Sequence, residues 1–247
     1  MAKPYQLITP QGRRIAYHQT AGAGPGVVFL GGFRSDMAGT KAVYLQDWAQ
    51  AQGRAFVRFD YSGHGESAGA FEEGCIGDWV EDAGSVLALT DGPQVLVGSS
   101  MGGWIALLLA RDMPKRVAGL VTIAAAPDFT EDSMWAGFSA LQRAQVTAGH
   151  LDLPSEYGTP YRITARLIED GRRHLVLRAP LDLPGHVRML QGTADADVPM
   201  DRALRLLDHA TGPDIRLTLV KGADHRFSTP ACLAMIAAAV EQISGEQ

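Results

Sequence analysis

The sequence predicts an α/β fold built on a mostly parallel β-sheet, and three observations carry this prediction. The chain has 247 residues, of which 46% are hydrophobic and 20% charged, as expected for one large globular domain. Short apolar runs alternate along it with longer stretches of helical pattern, which indicates crossover units and a parallel sheet. Several of these runs are apolar without interruption, which is typical of strands covered on both faces.

Eight strands are predicted for this sheet, flanked by helices. The first two alternate in polarity around Pro10-Gln11-Gly12 and are predicted to form a hairpin at the sheet edge. The predicted strands cover residues 5–8, 14–18, 26–30, 55–59, 95–97, 118–124, 186–191 and 215–220. The flanking helices are predicted at residues 40–52, 77–89, 105–110 and 232–243.

The alternation of strands and helices stops at Pro127, after the sixth predicted strand, and resumes near residue 185. We therefore predict two parts within the chain. Residues 1–126 and 185–247 form the α/β core, and residues 127–184 form a cap inserted over the edge of the sheet.

Within the cap, a helix is expected to begin at Thr130, because two acidic residues follow it and acidic side chains suit the first turn of a helix. A loop containing tyrosine and proline is predicted at residues 154–161. Asp170-Gly171 is a turn signal, so a hairpin is predicted between residues 163–167 and 174–177.

The most informative motif is Gly98-Ser99-Ser100-Met101-Gly102, a Gly-x-Ser-x-Gly pattern at the end of an apolar run. Glycine on both sides of Ser100 indicates a turn in which strand and helix pass so close that a Cβ would clash. Gly-x-Ser-x-Gly also occurs by chance, but the strand before it and the helix after it favour the nucleophile elbow of α/β-hydrolases. Ser100 is therefore the predicted nucleophile, since it has glycine two residues before it and two residues after it, and Ser99 does not.

A catalytic serine needs a base, and the base needs a third group to orient it. In an α/β-hydrolase the acid and then the histidine follow the serine along the chain. Asp195 lies just past the seventh predicted strand and His225 just past the eighth, so both are expected at the sheet edge that carries Ser100. Asp128 stays open as an alternative acid, because some hydrolases place it after the sixth strand. His64 is a weaker alternative base, expected instead to stabilise its turn.

Acyl transfer also requires hydrogen-bond donors for the oxyanion that develops. One is expected to be the backbone N–H of Met101, the residue after the nucleophile, and the other should come from the loop after the third strand. Within that loop we predict the N–H of Phe33, because Gly31 and Gly32 allow the backbone to turn toward the site. The alternative is that these glycines serve only the turn.

Composition and charge exclude several classes of partner. The net charge is −5 and no long basic run occurs, which argues against nucleic acid as the main partner. Cys75 and Cys232 have no zinc-binding spacing and no His-x-x-x-His pattern occurs, so we predict no metal. We also predict no organic cofactor, because the predicted serine, histidine and aspartate are sufficient for acyl transfer. No apolar stretch reaches about eighteen residues, so we predict no stable membrane insertion.

Three segments carry a more specific signal together with the residues around Asp195 and His225. The segments are Leu-Gly-Gly-Phe-Arg-Ser-Asp-Met at 30–37, Arg-Phe-Asp-Tyr-Ser-Gly-His-Gly at 58–65 and Val-Gly-Ser-Ser-Met-Gly-Gly-Trp at 97–104. In these residues the chain resembles one α/β-hydrolase group, which includes the mitochondrial mycophenolic acid acyl-glucuronide esterase and palmitoyl-protein thioesterase. The resemblance covers essentially the whole core and is weakest in the cap.

The resemblance implies a serine hydrolase that cleaves activated acyl bonds, with Ser100, His225 and Asp195 as its triad. Its expected substrates are small-molecule acyl esters or acylated thiols. The first six residues lack the apolar stretch of a signal peptide, and we expect a cytoplasmic protein. The oligomeric state stays open.

The cap is expected to set the acyl preference. Met134, Trp135, Phe138 and Leu141 have helical spacing, and Trp135 and Phe138 are candidate acyl-binding residues, although packing of the cap explains the stripe equally well. Arg34, beside the proposed oxyanion donor, is a candidate for binding an anionic leaving group, because arginine pairs well with carboxylates and phosphates. Four cap arginines are weaker candidates for the same role, and they are Arg162, Arg166, Arg172 and Arg173.

Two other functions fit the same residues. Hydrolysis of a carbon–carbon bond or a lactone uses the same triad, and the sequence does not separate it from ester cleavage. A non-catalytic small-molecule binder can also keep the triad and turn over very slowly.

Overall fold

The centre of the fold is a mostly parallel β-sheet. The computed structural model describes residues 3–154 and 160–245, and the strands in these ranges are β1 (Tyr5–Ile8), β2 (Arg14–Thr20), β3 (Ala23–Leu30), β4 (Arg54–Phe59), β5 (Gln94–Ser99), β6 (Val117–Ile123), β7 (His150–Leu153), β8 (Tyr161–Thr164), β9 (Leu181–Asp182), β10 (His186–Gly192), β11 (Ala210–Thr211) and β12 (Asp214–Val220). Eight of them form the central sheet in the order β1-β2-β4-β3-β5-β6-β10-β12. β2 pairs antiparallel with β1 and with β4, and the remaining neighbours are parallel. The predicted eight-stranded sheet is confirmed, including its N-terminal hairpin.

Helices cover both faces of this sheet. In the described ranges the α-helices are α1 (Thr40–Ala51), α2 (Ile76–Leu87), α3 (Met101–Asp112), α4 (Ala140–Thr147), α5 (Ala165–Arg173), α6 (Met200–His209) and α7 (Pro230–Gly245). Side chains of α1 and α7, such as Leu45 and Ile236, form one hydrophobic cluster, while α2 and α3 contribute Trp79 and Trp104 to a second. Among the described helices, none combines the length and apolar character needed to cross a membrane.

The chain leaves the sheet after β6 and returns to it at β10, as predicted. The intervening residues form α4, the antiparallel pair of β7 and β8, and α5, with β9 beside β11. The division into a core and a cap of residues 127–184 stays a prediction. The predicted loop at 154–161 falls largely on residues 155–159, outside the described part of the chain.

The predicted hairpin around Asp170-Gly171 is wrong, because both residues lie inside α5. The Thr164 side chain caps this helix by accepting the Leu167 N–H at 3.1 Å. Gly171 serves close packing instead of a turn, since a Cβ there would overlap the Thr130 hydroxyl. Residues 174–177 form no strand, because two of their backbone N–H groups donate to the Asp128 side chain.

The predicted cap helix beginning at Thr130 is also wrong in detail. Residues Thr130–Trp135 form a π-helical turn, and the Thr130 side chain is buried without capping it. A second helix, α4, begins after Ser139, whose side chain and Gln142 form a capping box. The four-residue apolar stripe therefore does not lie on one helix. Met134 and Trp135 belong to the π-helical turn, Phe138 lies between this turn and α4, and Leu141 is 72% exposed on α4.

Candidate active site

Ser100 lies in a sharp turn between β5 and α3, at the carboxyl edge of the parallel strands. Its φ of 55° and ψ of −118° form a conformation that residues with side chains rarely adopt. The turn is held by the Ser100 N–H, which donates to the Ile123 carbonyl at 2.9 Å. A Cβ on Gly98 would overlap the backbone of Gly102, and one on Gly102 would overlap the Leu30 carbonyl. Both glycines therefore permit the close approach that the motif indicated.

His225 joins this serine to Asp195. Its Nε2 lies 3.1 Å from the Ser100 Oγ, and its Nδ1 lies 2.9 Å from the Asp195 Oδ2. The loops that carry Asp195 and His225 are bound together, because the Ala194 N–H donates to the Ala223 carbonyl at 3.0 Å. A carboxylate accepts from Nδ1–H, which leaves the Nε2 lone pair free to accept the serine proton. The three side chains predicted from chain order thus form one hydrogen-bonded chain.

The environment of Asp195 favours its ionised form. Burial by itself would raise the pKa of this carboxyl, but the hydrogen bonds it accepts from His225, from the Val198 N–H at 2.8 Å and from Gln191 outweigh burial and lower the pKa below its ordinary value. The Asp197 N–H donates to the Asp195 Oδ1 at 3.0 Å, the same oxygen that accepts the Val198 N–H. The carboxylate is therefore available to orient the imidazole and to stabilise its charged form.

Gln191 is a member of this network that the sequence analysis did not identify. It is completely buried, and its Nε2 donates to the Asp195 Oδ2 at 3.1 Å and to the Val198 carbonyl at 3.0 Å. The amide thus ties the carboxylate to the loop that carries it. A polar residue directly after Met189 and Leu190, near the end of β10, was the available signal.

Asp128, the alternative acid, binds elsewhere. It is completely buried and accepts hydrogen bonds from the Val176 N–H at 2.8 Å, the Leu177 N–H at 3.0 Å and Arg178 at 3.1 Å. These bonds explain why residues 174–177 form no strand. Asp128 fastens the returning cap segment and makes no recorded hydrogen bond to His225.

Both backbone donors predicted for the oxyanion belong to segments next to Ser100. Met101 is the first residue of α3. The loop that carries Phe33 packs against the elbow, since a Cβ on Gly32 would lie 3.4 Å from the Ser100 Cβ. In the described ranges neither Phe33 nor Met101 donates its backbone N–H to another protein group. Both donors are thus free for a substrate oxygen, while their role in catalysis stays a prediction.

The two predicted acyl-binding side chains of the cap have different surroundings. Phe138 is 9% exposed and belongs to the main hydrophobic cluster. Trp135 packs against the same cluster, and the guanidinium groups of Arg172 and Arg143 lie 4.6 and 5.4 Å from its ring centroid. The described contacts account for both residues by packing, and their binding role stays a prediction.

Arg34 joins the loop of Phe33 to the cap. Its guanidinium lies over the rings of Phe71 and Tyr161, 5.1 and 4.9 Å from their centroids, and donates to the Pro160 carbonyl at 3.3 Å. The four cap arginines each have an acidic partner, which weakens the case for an anion site built from them. The pairs are Arg162–Asp152, Arg166–Asp78, Arg172–Glu131 and Arg173–Asp170.

One cluster of potential metal ligands occurs within residues 3–154 and 160–245, and it overlaps the chain just described. Asp195, Asp197 and His225 offer ligand atoms within 4.8 Å of one another. His225 Nδ1 and the Asp195 carboxylate are already bound to each other, and the second carboxylate oxygen accepts two backbone N–H groups. The geometry favours a hydrogen-bonded relay over a cation site.

Comparison with known proteins identifies relatives along nearly the whole chain. Residues 26–155 match the family described as serine aminopeptidase, S33. The mitochondrial palmitoyl-protein thioesterase ABHD10 of Rattus norvegicus is 35% identical over 240 residues, which cover 96% of this chain and 81% of the rat protein. The expectation of a cytoplasmic location finds no support in a mitochondrial relative and stays a prediction.

Two solved structures extend this similarity to the fold. A putative hydrolase from Agrobacterium vitis S4 is 41% identical, with a TM-score of 0.93 over 98% of each chain. The alpha/beta hydrolase domain-containing protein 10 from mouse is 34% identical, with a TM-score of 0.90 over 100% of each chain. Because these matches cover at least 98% of each chain, the similarity includes the cap segment as well as the sheet.

Proposed function

This chain belongs to the α/β-hydrolase family of the ABHD10 palmitoyl-protein thioesterases, and we propose that it hydrolyses acyl thioesters and esters through an acyl-enzyme on Ser100. It is a hydrolase of the carboxylesterase or thioesterase type. The observation that carries the catalytic assignment is the position of His225, which binds both Ser100 and Asp195.

In the first step the Ser100 Oγ attacks the acyl carbon while its proton passes to the His225 Nε2, 3.1 Å away. The carbonyl oxygen becomes an oxyanion, which the backbone N–H groups of Met101 and Phe33 stabilise. Asp195 stabilises the imidazolium. As the tetrahedral intermediate collapses, the bond to the leaving thiol or alcohol breaks and His225 returns the proton to it.

In the second step water replaces the leaving group. His225 removes a proton from water, whose oxygen attacks the acyl carbon of the ester on Ser100. The same two backbone donors stabilise the second oxyanion. As this intermediate collapses, the bond between the acyl carbon and the Ser100 Oγ breaks, and His225 returns its proton to the Oγ. The carboxylic acid leaves, so the cycle consumes one water.

An acylated thiol is the substrate class we place first, because the relatives at 32–35% identity are named palmitoyl-protein thioesterases. The apolar surroundings of the site agree with an acyl group. The ring of Phe33 packs edge-on against Phe71 and Phe129, with centroids 4.8 and 5.6 Å away.

The proposal is tested with a panel of acyl-CoAs, S-acyl peptides, acyl glucuronides and nitrophenyl esters of rising chain length, together with a lactone and a β-diketone. We expect steady-state turnover of the nitrophenyl esters and the highest kcat/KM on a thioester. Turnover confined to the lactone or the β-diketone would contradict acyl ester and thioester hydrolysis. A single stoichiometric burst without turnover would identify a binder.

Asp195→Asn is expected to lower kcat by about 10³- to 10⁴-fold, because an amide neither stabilises the imidazolium nor fixes its tautomer. The matched variant is Asp128→Asn, at a completely buried carboxylate that binds the cap segment. It is expected to keep kcat near the wild-type value and to lose about 1–3 kcal/mol of unfolding free energy. Steady-state kinetics and denaturant unfolding of both variants provide the measurement. The reverse pattern, with Asp128→Asn inactive and Asp195→Asn active, would identify Asp128 as the acid.

Arg34→Ala is expected to raise KM for an acyl-CoA or acyl glucuronide by up to about fivefold, because an exposed ion pair contributes roughly 1 kcal/mol or less. KM for a neutral nitrophenyl ester of the same acyl group should change less. Arg111→Ala is the matched control, since Arg111 pairs with its exposed neighbour Asp112. Equal changes on both substrate classes would show that Arg34 acts through its contacts with Phe71, Tyr161 and Pro160.

A further inference from the structure

The loop that supplies one proposed oxyanion donor, residues 31–37, is held from behind by a second loop, residues 60–67. The Asp60 carboxylate accepts the Met37 N–H at 2.6 Å and the Glu66 N–H at 2.8 Å, so it bonds to both loops. The His64 Nε2 accepts the Arg34 N–H at 3.3 Å. The hydrogen bond between the Arg34 N–H and His64 lies one peptide away from the Phe33 N–H.

Arg34 requires this support. Its φ is +57°, in the left-handed region that residues other than glycine and asparagine seldom occupy. Such a conformation is unfavourable for a residue with a side chain and persists only where the surroundings hold it. The hydrogen bond to His64 fixes the plane of the peptide between Phe33 and Arg34, and it thereby limits how Phe33 can rotate.

The ring of His64 is itself fixed. It is 4% exposed and packs edge-on against Tyr61, Phe71 and Trp79. Its Nδ1–H donates to the Ser62 carbonyl at 3.2 Å, which leaves the Nε2 with a lone pair. Burial lowers the pKa of His64 to about 4, so the ring is neutral near pH 7.

A chain of hydrogen bonds continues from His64 into the core. The carbonyl of Ser62 also accepts the Trp79 Nε1–H at 3.1 Å, and the Ser62 hydroxyl donates to Asp82 at 2.6 Å. Asp82 is completely buried, and its Oδ1 accepts a hydrogen bond from the Arg13 Nε at 2.6 Å. The support behind the donor loop is therefore anchored to Trp79 and Asp82 of α2 and to Arg13, which directly precedes β2.

We propose that His64 is a positioning residue for the oxyanion site, because its Nε2 lone pair holds the Arg34 N–H and so directs the Phe33 N–H toward the carbonyl oxygen of the substrate. This inference rests on the proposed acyl transfer at Ser100. It gives the histidine of the segment Asp60-Tyr61-Ser62-Gly63-His64 a role other than that of a base.

The test compares two replacements of similar size. His64→Gln keeps an acceptor where Nε2 stood, and His64→Met fills the space without one. We expect His64→Met to lower kcat on a nitrophenyl ester by about 10- to 100-fold with KM changed less than about twofold, because the lost contact acts on the transition state. His64→Gln should recover most of this loss, and His150→Met, at an exposed position, should match the wild type.

A trifluoromethyl ketone inhibitor gives a readout that loss of folding does not imitate. The Ser100 Oγ adds to the ketone carbon, the carbonyl oxygen becomes an oxyanion, and the serine proton passes to His225. The Ki of the inhibitor therefore reports on the oxyanion donors. Ki should rise in His64→Met in proportion to the loss of kcat/KM and stay low in His64→Gln. Wild-type kcat and Ki in His64→Met, or equal losses in both variants, would overturn the inference.

The wild-type protein offers a test that does not depend on a variant that folds. Nitrogen NMR of the His64 ring should show a protonated Nδ1 and an unprotonated Nε2. A protonated Nε2 cannot accept the Arg34 N–H and would overturn the proposal. A wild-type enzyme without turnover or Ser100 labelling would instead contradict the proposed function, so the two failures are distinguishable.

Discussion

Ser100→Ala is expected to lower turnover of a nitrophenyl ester by about 10⁴- to 10⁶-fold, because the variant retains the binding surface and both oxyanion donors but cannot form the acyl-enzyme. Alanine keeps the Cβ, so the unusual backbone conformation at residue 100 costs the same in both proteins. We therefore expect a thermal midpoint close to that of the wild type. A fluorophosphonate probe should label the wild type on Ser100 and should not label the variant.

Ser99→Ala is the matched control for this result. Ser99 is the neighbouring serine, 5% exposed at the end of β5, and its side chain makes no recorded hydrogen bond in the described part of the chain. Labelling and turnover should persist in Ser99→Ala. Labelling that persists in Ser100→Ala, or turnover near the wild-type rate, would contradict the assignment of the nucleophile.

The sequence predicts the parts of the site that depend on strand ends. Parallel strands place their carboxyl ends at one edge, so residues just past three such strands must lie close together. Ser100, Asp195 and His225 meet that condition, and the structure brings their side chains into one hydrogen-bonded chain. The need for glycine at positions 98 and 102 was also predictable, because a close approach of strand and helix excludes a Cβ.

The cap was harder to predict, because contacts distant in sequence decide its local structure. Asp170-Gly171 has turn chemistry, yet both residues lie in α5, where Gly171 packs against Thr130. Residues 174–177 have an apolar pattern, but the Asp128 carboxylate takes the backbone N–H groups that a strand would have used. A buried acceptor 48 residues away leaves no periodic signal in either segment.

Gln191 was missed for the same reason, and the role that we propose for His64 was not predicted. Gln191 forms a hydrogen bond to Asp195 and His64 forms one to the Arg34 backbone, and a lone polar side chain carries no spacing that identifies its partner. The donor and acceptor inventory of each side chain limits what it can do, but only the fold selects the partner.

His225→Ala is expected to reduce kcat by about 10⁵- to 10⁶-fold, close to the loss in Ser100→Ala, because the serine proton then has no acceptor at 3.1 Å. His150→Ala is the matched control, since His150 is exposed on β7. It should retain wild-type turnover and probe labelling.

The double variant Ser100→Ala/His225→Ala gives the sharper result. If the two side chains act as one unit, removing both costs no more than removing either, because the base has no function without the nucleophile. The turnover that remains should come from the oxyanion donors and substrate binding alone. Losses that multiply in the double variant would show that His225 and Ser100 contribute independently, and such a result would contradict the relay through His225 even if each single variant were inactive.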